Sequence, residues 1–526
     1  MRHRNRLLDS VAGLTAAAVA LGATEFIAAL AGTSSLVVAV GNVVVDRTPG
    51  PVVKWAIDLF GTNDKPILLT TVTAISVLLG FVLGPFAARQ PMVGKAAFAF
   101  FGLVGVLAGA TDPFTGYGAA FWVVVPSAFV GWLMLRYLLE LATPEVDAVG
   151  AELVAPQMPG RGVAGRRKFL AFAGAATGGA ALAAVSGQFL TTRVDVEAER
   201  ASVAIPTVGG STPPQDIGLD VEGLSPYITP NDRFYRIDTA LVVPRIDAST
   251  WRLRIHGMVD APYELSFADL AEMATLEEPV TLSCVSNEVG GRLVGNAIWV
   301  GVPLAKILER AGVQEGATQI VGRSVDGFTA GFPTEVALDG RPAMVAIAMN
   351  GEPLPAQHGF PARLVVPGLY GYVSATKWIS EIELTRLEDF DGYWIPRGWA
   401  KDAPIKTQSR IDVPRVNSIP AGLTPIAGVA WAGIRSVAKV EVRVTPAGQD
   451  RDANQEWMEA RLSEPLSQSS WRQWLVEWEA TPGNYLIEVR ATDGDGVTQT
   501  SEIAPPAPDG ATGWHLKSIS VRESGA

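Results

Sequence analysis

Cysteine is nearly absent: one, Cys284, stands in 526 residues. No disulfide can therefore form within the chain, whichever compartment holds it. Histidine is almost as scarce, with His3, His256, His358 and His515 the full complement, which leaves little for a zinc site built on His and Cys. Charge is thin too, since Asp, Glu, Lys and Arg together make up 18%. With 48% hydrophobic residues and a mean hydropathy of +0.23, the chain is too apolar to be wholly water-soluble, and part of it is expected in lipid. The formal net charge of −11 argues against nucleic-acid binding, which needs a basic face. No G-x-G-x-x-G follows a strand pattern and no Walker loop is present, so nucleotide binding lacks support.

What is present, first, is apolar length. A bilayer crossing takes roughly 20 apolar residues, and five segments qualify: residues 7–30, PILLTTVTAISVLLGFVLGPFAA, AAFAFFGLVGVLAGA with its flanks, AAFWVVVPSAFVGWLMLRYLLELA, and FLAFAGAATGGAALAAVSGQFL. The expected order is a four-helix membrane region over 1–142, a cytoplasmic linker over 143–168 and a fifth membrane helix over 169–190. The stretch at 33–45 is too short to assign as a crossing. Arg2, Arg4 and Arg6, then Arg89 and Lys95, then Arg161, Arg166, Arg167 and Lys168 all fall on one side of a five-span arrangement. The positive-inside rule makes that side cytoplasmic, although Arg47, Lys54 and Lys65 on the opposite side weaken the bias. Everything after about residue 191 is then extracytoplasmic. The fifth span opens GRRKFLAF, a pattern resembling a twin-arginine export signal set inside the chain; an ordinary basic stop before a membrane helix is the plainer reading. No histidine or cysteine lies in the five spans, so a membrane haem held by two histidines is not expected.

A Pro/Gly-rich stretch, IPTVGGSTPPQDIG, leads into a globular composition over 200–400. TWRLRIHGMV alternates as a strand does. LSFADLAEMA reads as a short helix capped by Ser266, and VPLAKILERAG as an amphipathic helix stopped by Gly312. Further strands are expected at RLVVPG and WISEIELT, with a turn at Asn350-Gly351 after MVAIAM. The mixture lacks a βαβ repeat and predicts an α+β domain. Beyond PIKTQSRIDVP, the alternating VAKVEVRVT and NYLIEVRATDGDG predict a β-sandwich over 405–523, immunoglobulin-like in style. Trp457, Trp471, Trp474 and Trp478 are candidates for its core or for an interface.

Four blocks in order carry a resemblance: NDRFYRID, WRLRIHGMVDAPYELSFADL, TLSCVSNEVGG, and NGEPLPAQHGFPARLVVPGLYGYVSATKWISEIELT. Together they resemble the sulfite-oxidase fold of molybdopterin-dependent oxidoreductases. The added membrane spans are most similar to a membrane-anchored, actinobacterial-type branch, with the exported methionine-sulfoxide reductase catalytic subunit as a relative. The resemblance implies a molybdenum-molybdopterin cofactor, with Cys284 as the protein's sulfur ligand to the metal and catalytic centre. A lone cysteine otherwise packs as a small hydrophobe, whereas soft, redox-active metal chemistry favours a thiolate. By motif position the resemblance also implies cofactor contacts at Tyr235, Arg236, Ser324, His358, Arg363, Ser374, Thr376 and Lys377; each cation taken alone would be a solvated surface charge. His256 has no such support and is expected to be structural.

The chain departs from the family pattern after the cysteine. Sulfite oxidases usually place an arginine there, whereas VSNEVGG puts Glu288 in its stead, and a carboxylate repels a sulfite dianion. The segment GYWIPRGWAKDAP offers Trp399 or Lys401, with Tyr393 further off, where the family has a tyrosine over the metal. Sulfite is therefore a doubtful substrate. The expected function is oxygen-atom transfer to or from a small S- or N-containing molecule, with electrons exchanged with a separate redox partner and dimerisation through the C-terminal domain. A non-enzymatic envelope scaffold with a vestigial pterin pocket is the alternative. A thiol peroxidase would need basic neighbours to acidify Cys284, and the local sequence offers none.

Overall fold

The structure is a computed structural model that describes residues 5–143, 161–191, 196–208, 218–449 and 456–523. Arg2 and Arg4, most of the expected linker and the Pro/Gly-rich residues 209–217 lie outside the described residues. The chain divides into two compact units, Met1–Asp195 with Ala240–Val242, and Val196–Thr239 with Val243–Ala526.

The first unit is helical: α1 (Arg6–Ala31), α2 (Leu36–Arg47), α3 (Gly50–Phe60), α4 (Asp64–Arg89), α5 (Pro91–Thr111), α6 (Gly116–Leu141) and α7 (Arg161–Thr191). Five of these, α1, α4, α5, α6 and α7, are long and apolar enough to cross a membrane. At 12 residues, α2 falls short of the roughly 20 that a helix needs to cross a bilayer. Ser35 caps α2 and donates its hydroxyl to Glu25 Oε1 at 2.8 Å. One boundary differs from expectation. The last helix begins at Arg161 rather than 169, so residues 161–168, including the twin arginines, extend a helix instead of ending a linker.

Close approach through small residues organises this unit, the packing mode that suits helices in lipid, where no hydrophobic drive acts between them. A Cβ on Gly84 would lie 2.1 Å from the Asp9 carbonyl oxygen, and one on Gly13 would lie 2.0 Å from that of Gly80. On α7, Ala180 stands against α1 so closely that a Cβ on Gly22 would reach its carbonyl at 2.4 Å. Replacing Gly84 by valine should therefore push α1 and α4 apart. We expect a loss of roughly 1–3 kcal/mol, read as a lower unfolding temperature in detergent, with Gly118→Val, which has open space around it, near wild type.

In the second unit a short helix, α8 (Val196–Ser202), precedes two sheets. Their strands are β1 (Arg252–Gly257), β2 (Tyr263–Ser266), β3 (Leu276–Ser283), β4 (Val294–Pro303), β5 (Gln319–Ser324), β6 (Thr329–Pro333), β7 (Met344–Met349), β8 (Glu352–Pro353), β9 (Arg363–Val365) and β10 (Ile379–Thr385). One sheet runs β2-β1-β10-β5-β6, the other β3-β4-β7-β8 with β9 beside β7. Within the first, β1 and β10 are parallel and the remaining pairs antiparallel. The expected elements form for the expected reasons. In β1, Leu253 and Ile255 turn inward while Arg252 and Arg254 turn out. Helix α9 (Phe267–Met273) starts on a full Ser266–Asp269 capping box, and α10 (Leu304–Ala311) ends at Gly312 with φ +68°. Asn350 (φ +53°) and Gly351 (φ +82°) make the tight turn between β7 and β8. A further short helix, α11 (Gly371–Ser374), precedes β10.

The C-terminal strands are β11 (Gln408–Val413), β12 (Ser418–Pro420), β13 (Gly422–Trp431), β14 (Val437–Pro446), β15 (Met458–Glu459), β16 (Arg461–Leu462), β17 (Arg472–Ala480), β18 (Gly483–Asp493) and β19 (His515–Arg522). They form a four-stranded sheet, β11-β13-β17-β16, and a five-stranded one, β12-β19-β18-β14-β15. Ile426, Trp474 and Val476 from the first share a core with Val440, Val442, Ile487, Val489 and Ile519 from the second, so this is a β-sandwich. Of the four tryptophans, Trp474 lies in that core and Trp478 packs against it. Trp471 instead donates to the Tyr227 carbonyl at 2.8 Å, and Trp457 pairs edge-on with Trp514. The domain border is less clean than 200–400 suggests, because Leu219, Val221 and Leu224 pack on Val413, Ala427 and Leu475 of the sandwich.

Candidate functional site

Strand β3 ends where Cys284 begins a loop that returns through Leu293 to β4. The Cys284 amide donates to the Leu293 carbonyl at 2.9 Å, and Asn287 Oδ1 accepts from the Leu293 amide at 2.7 Å. This small knot holds Cys284 with 9% of its surface exposed on the wall of a cleft of about 890 Å³, open mouth included. Burial pushes the thiol up, opposed by the amide and hydroxyl of Ser286, which donate to the sulfur. A raised pKa is the reverse of what a free thiol nucleophile needs, which counts against the peroxidase reading.

Six of the expected residues meet at this cleft: Tyr235, Cys284, Ser324, His358, Arg363 and Lys377. Arg363, on β9, is 5% exposed. Its guanidinium donates to the carbonyls of Leu364, His358 and Ala375 at 3.2–3.4 Å and lies 5.0 Å from the Trp299 ring. No carboxylate pairs with it among the described residues. Burial lowers its pKa to about 10, with Tyr235 opposing, so it stays charged at neutral pH. Burial raises the Tyr235 phenol, Cys284 adding to the rise. Lys377 forms an ion pair with Asp238 and donates to the Gln357 carbonyl at 3.2 Å. It sits beside Trp378, whose φ of +49° is rare for an aromatic residue; the indole N–H is held by the Ala356 carbonyl at 2.8 Å.

His358 Nε2 lies 2.9 Å from the Asn231 carbonyl. A carbonyl only accepts, so the proton is on Nε2 and Nδ1 is the bare nitrogen. Burial lowers the pKa of His358 to about 4, Arg363, Arg236 and Arg200 adding to the fall and the Asn231 bond opposing it. Three expected contacts lie off the cleft wall. Arg236 turns outward to Asp238 Oδ2 at 2.5 Å, Ser374 gives its hydroxyl to the Tyr370 carbonyl at 3.1 Å, and Thr376 gives its own to that of Gly322 at 3.4 Å. The last two are fully buried, and backbone acceptors consume the donors a ligand would use. His256 is structural as expected, 2.7 Å from Glu381.

Sequence reasoning missed several lining residues. Asp238, Ser286, Asp326, Phe328, Tyr372 and Trp394 all face the cleft. Asp238, two residues past Arg236 in NDRFYRID, was a legible partner for a cation; Tyr372 comes from the short helix α11 and the others from loops. Trp399 lines the cleft as its block suggested, with Trp394 at 6.5 Å. Lys401 does not, since it bonds the Phe390 carbonyl and Asp391 at 2.8 Å. Tyr393 lies under Arg397, 3.6 Å from its ring. Glu288 is exposed and does not line the cleft.

With this geometry in view, the comparisons with known proteins fall into place. The family model described as "Oxidoreductase molybdopterin binding domain" matches residues 240–394. The oxidoreductase YuiH of Bacillus subtilis, itself uncharacterized, is 37% identical over 153 residues, covering 29% of this chain and 74% of YuiH. Human mitochondrial sulfite oxidase is 28% identical over 342 residues, 56% of this chain and 60% of its own length. The chain thus spans about 60% of the length of the mitochondrial sulfite oxidases it matches. The sulfane dehydrogenase SoxCD of Paracoccus pantotrophus aligns over 56% of this chain and 84% of its own at 22% identity, with a TM-score of 0.48.

The protein belongs to the molybdopterin-binding oxidoreductases of the sulfite oxidase family. It is an oxidoreductase, and its cofactor is molybdenum-molybdopterin; the non-enzymatic scaffold reading gives way. The cleft fits that group on its own chemistry. It offers one soft sulfur donor and a buried cation with no acidic partner, and a buried charge needs a counter-charge. Among the described residues no cluster of three His, Cys, Asp or Glu could hold a metal without a cofactor.

Because His358 is buried neutral, its folded pKa of about 4 lies below the ordinary 6.5. The stability it confers is complete above about pH 6.5 and drains away as pH falls towards 4, on the order of 3 kcal/mol. His515, also lowered to about 4, chiefly by burial, acts in the same window. Thermal unfolding across pH 4–7 should show this loss, and His358→Gln, which keeps a donor for Asn231, should flatten its share.

Proposed function

We propose that Cys284 is the protein's ligand to molybdenum, and that the cleft it opens into moves an oxygen atom to or from a small S- or N-containing substrate. Arg363, Lys377, His358, Tyr235 and Ser324 would hold the pterin and its phosphate. The bound group supplies the two-electron redox change and the oxygen-atom chemistry. The chain's residues do the rest. Arg363 offers charge-assisted donors from a dry setting, His358 presents a neutral nitrogen, and Ser286 offers donors that favour the thiolate form of Cys284. Trp394, Trp399 and Phe328 narrow the access of water. The observation that carries the reading is the pairing, in one cleft, of the solitary thiol with a buried guanidinium that lacks a carboxylate.

Sulfite stays a doubtful substrate on different grounds from those the sequence suggested. Lys377 is already ion-paired, sharing Asp238 with Arg236, and Asp326 adds a second carboxylate to the wall, so among the described lining cations Arg363 is the one without a carboxylate partner, and the cofactor has first claim on it. A sulfoxide or N-oxide suits these walls better. Either direction of catalysis needs an electron partner, since the spans lack haem ligands.

The same proposal makes the five apolar helices a membrane anchor, with the N-terminus cytoplasmic and the second unit extracytoplasmic. The basic clusters and GRRKFLAF support that side. The sandwich is read as immunoglobulin-like and as the surface for a homodimer, as in the family.

Cys284→Ala should abolish molybdenum-dependent reduction of sulfoxide and N-oxide probes, by at least a hundredfold, with the fold retained by circular dichroism. Full turnover at full metal content would refute the ligand assignment. Arg363→Met should cut molybdenum per chain tenfold or more by elemental analysis, and Arg363→Lys less. Changing Arg166 and Arg167 to lysine should leave the second unit inaccessible to external protease in intact cells; normal cleavage removes the twin-arginine reading.

A further inference from the structure

The sandwich is tied to the strands and loop that carry Cys284 more directly than a dimerisation module would require. Strand β3 is the outer strand of its sheet, and the segment before β17 covers its free edge. The Thr281 amide donates to the Ser469 carbonyl at 2.9 Å, the Trp471 amide donates to Thr281 Oγ1 at 2.8 Å, and Ser467 donates to the Pro279 carbonyl at 2.6 Å. Asn296, across from Thr281 on β4, donates to Ser470 Oγ at 2.8 Å. Both strands that carry the cysteine loop are thus hydrogen-bonded to the sandwich.

The far end of the loop is held as well. Arg410 of β11, itself buried, donates to the Gly291 carbonyl at 2.8 Å and is oriented by Asp412 at 2.7 Å. Gly290 has φ +78° and lies so close to the imidazole of His515 that a Cβ there would stand 2.4 Å from Nε2. That ring is fixed in turn, because His515 Nδ1 accepts from the Ile411 amide at 2.9 Å. A glycine with positive φ pressed on a ring is a two-sided constraint, since neither the loop nor the imidazole can move without the other.

We propose that the C-terminal sandwich is a positioning element of the cleft, with His515 and Arg410 clamping the loop that carries Cys284. They touch neither the sulfur nor, on this geometry, a ligand, and act through Gly290 and Gly291. The consequence for turnover rests on Cys284 being the metal's ligand, but the clamp itself does not.

The test uses the full-length chain in detergent, without metal, and the rate at which iodoacetamide alkylates its thiol. With one cysteine in the chain, the signal comes from one site. His515→Ala should speed alkylation at least tenfold, and His515→Asn, which keeps an acceptor for Ile411 but loses the ring, should lie between it and wild type. Arg410→Gln is the second variant should His515→Ala not be recovered folded, and it too should be faster. Ile487→Ala, in the sandwich core, should lower the unfolding midpoint while alkylation stays within twofold of wild type. Rates within twofold for both clamp variants overturn the proposal. So does an equal acceleration by Ile487→Ala, which would mean general loosening. Full turnover by Cys284→Ala at full metal content would refute the ligand assignment and leave this result standing.

Discussion

A guanidinium shut away from water beside carbonyls and an indole, with no carboxylate opposite it among the described residues, is the constraint on which the site depends. Removing an ionised group from water is costly, and carbonyl dipoles recover part of that cost but leave the charge unmatched. Arg363 is in that position, and so the cleft around it is built for something anionic. Lys377 differs in kind: it reaches the wall already ion-paired, sharing Asp238 with Arg236. The contrast explains why two cations of one sequence block have different parts to play at the same wall.

The sulfur is governed by a different balance. Burial works against a thiolate at Cys284, and the Ser286 donors work for it. Among the described residues the loop provides little else, so a bound metal would be the group that keeps the sulfur ionised. Holding such a ligand in place requires a loop that does not drift. Here rigidity comes from outside the domain, through β3 and β4 at one end and Gly290 and Gly291 at the other. The C-terminal sandwich belongs in this respect to the architecture of the cleft.

In the helical unit the governing feature is close backbone approach at small residues. Helices α1, α4 and α7 approach through Gly13, Gly80, Gly84, Gly22 and Ala180, where backbones meet. Such contacts are local and short in sequence signature, since Gly80 and Gly84 are one turn apart. The short α2 fits the same logic: a helix too short to cross is fastened by Ser35 to Glu25 instead.

The sequence by itself determined a good deal. Apolar length marked five helices, period-two alternation marked β1, β14 and β18, and capping chemistry marked α9 and α10, all because these signals are carried by residues a few positions apart. The ordered blocks also marked Cys284, His358, Arg363 and Lys377. What only the tertiary structure decided was who faces whom. Arg236, Ser374 and Thr376 sit in the right blocks yet spend their donors on Asp238 and on backbone carbonyls, while Asp238, Ser286 and Trp394 enter the cleft from separate loops. Glu288 lies four residues after Cys284 yet is absent from the cleft lining, and His515 lies 231 positions after Cys284 yet bears on its loop. A side chain's direction and its long-range neighbours depend on how distant strands pack, and no local pattern encodes that.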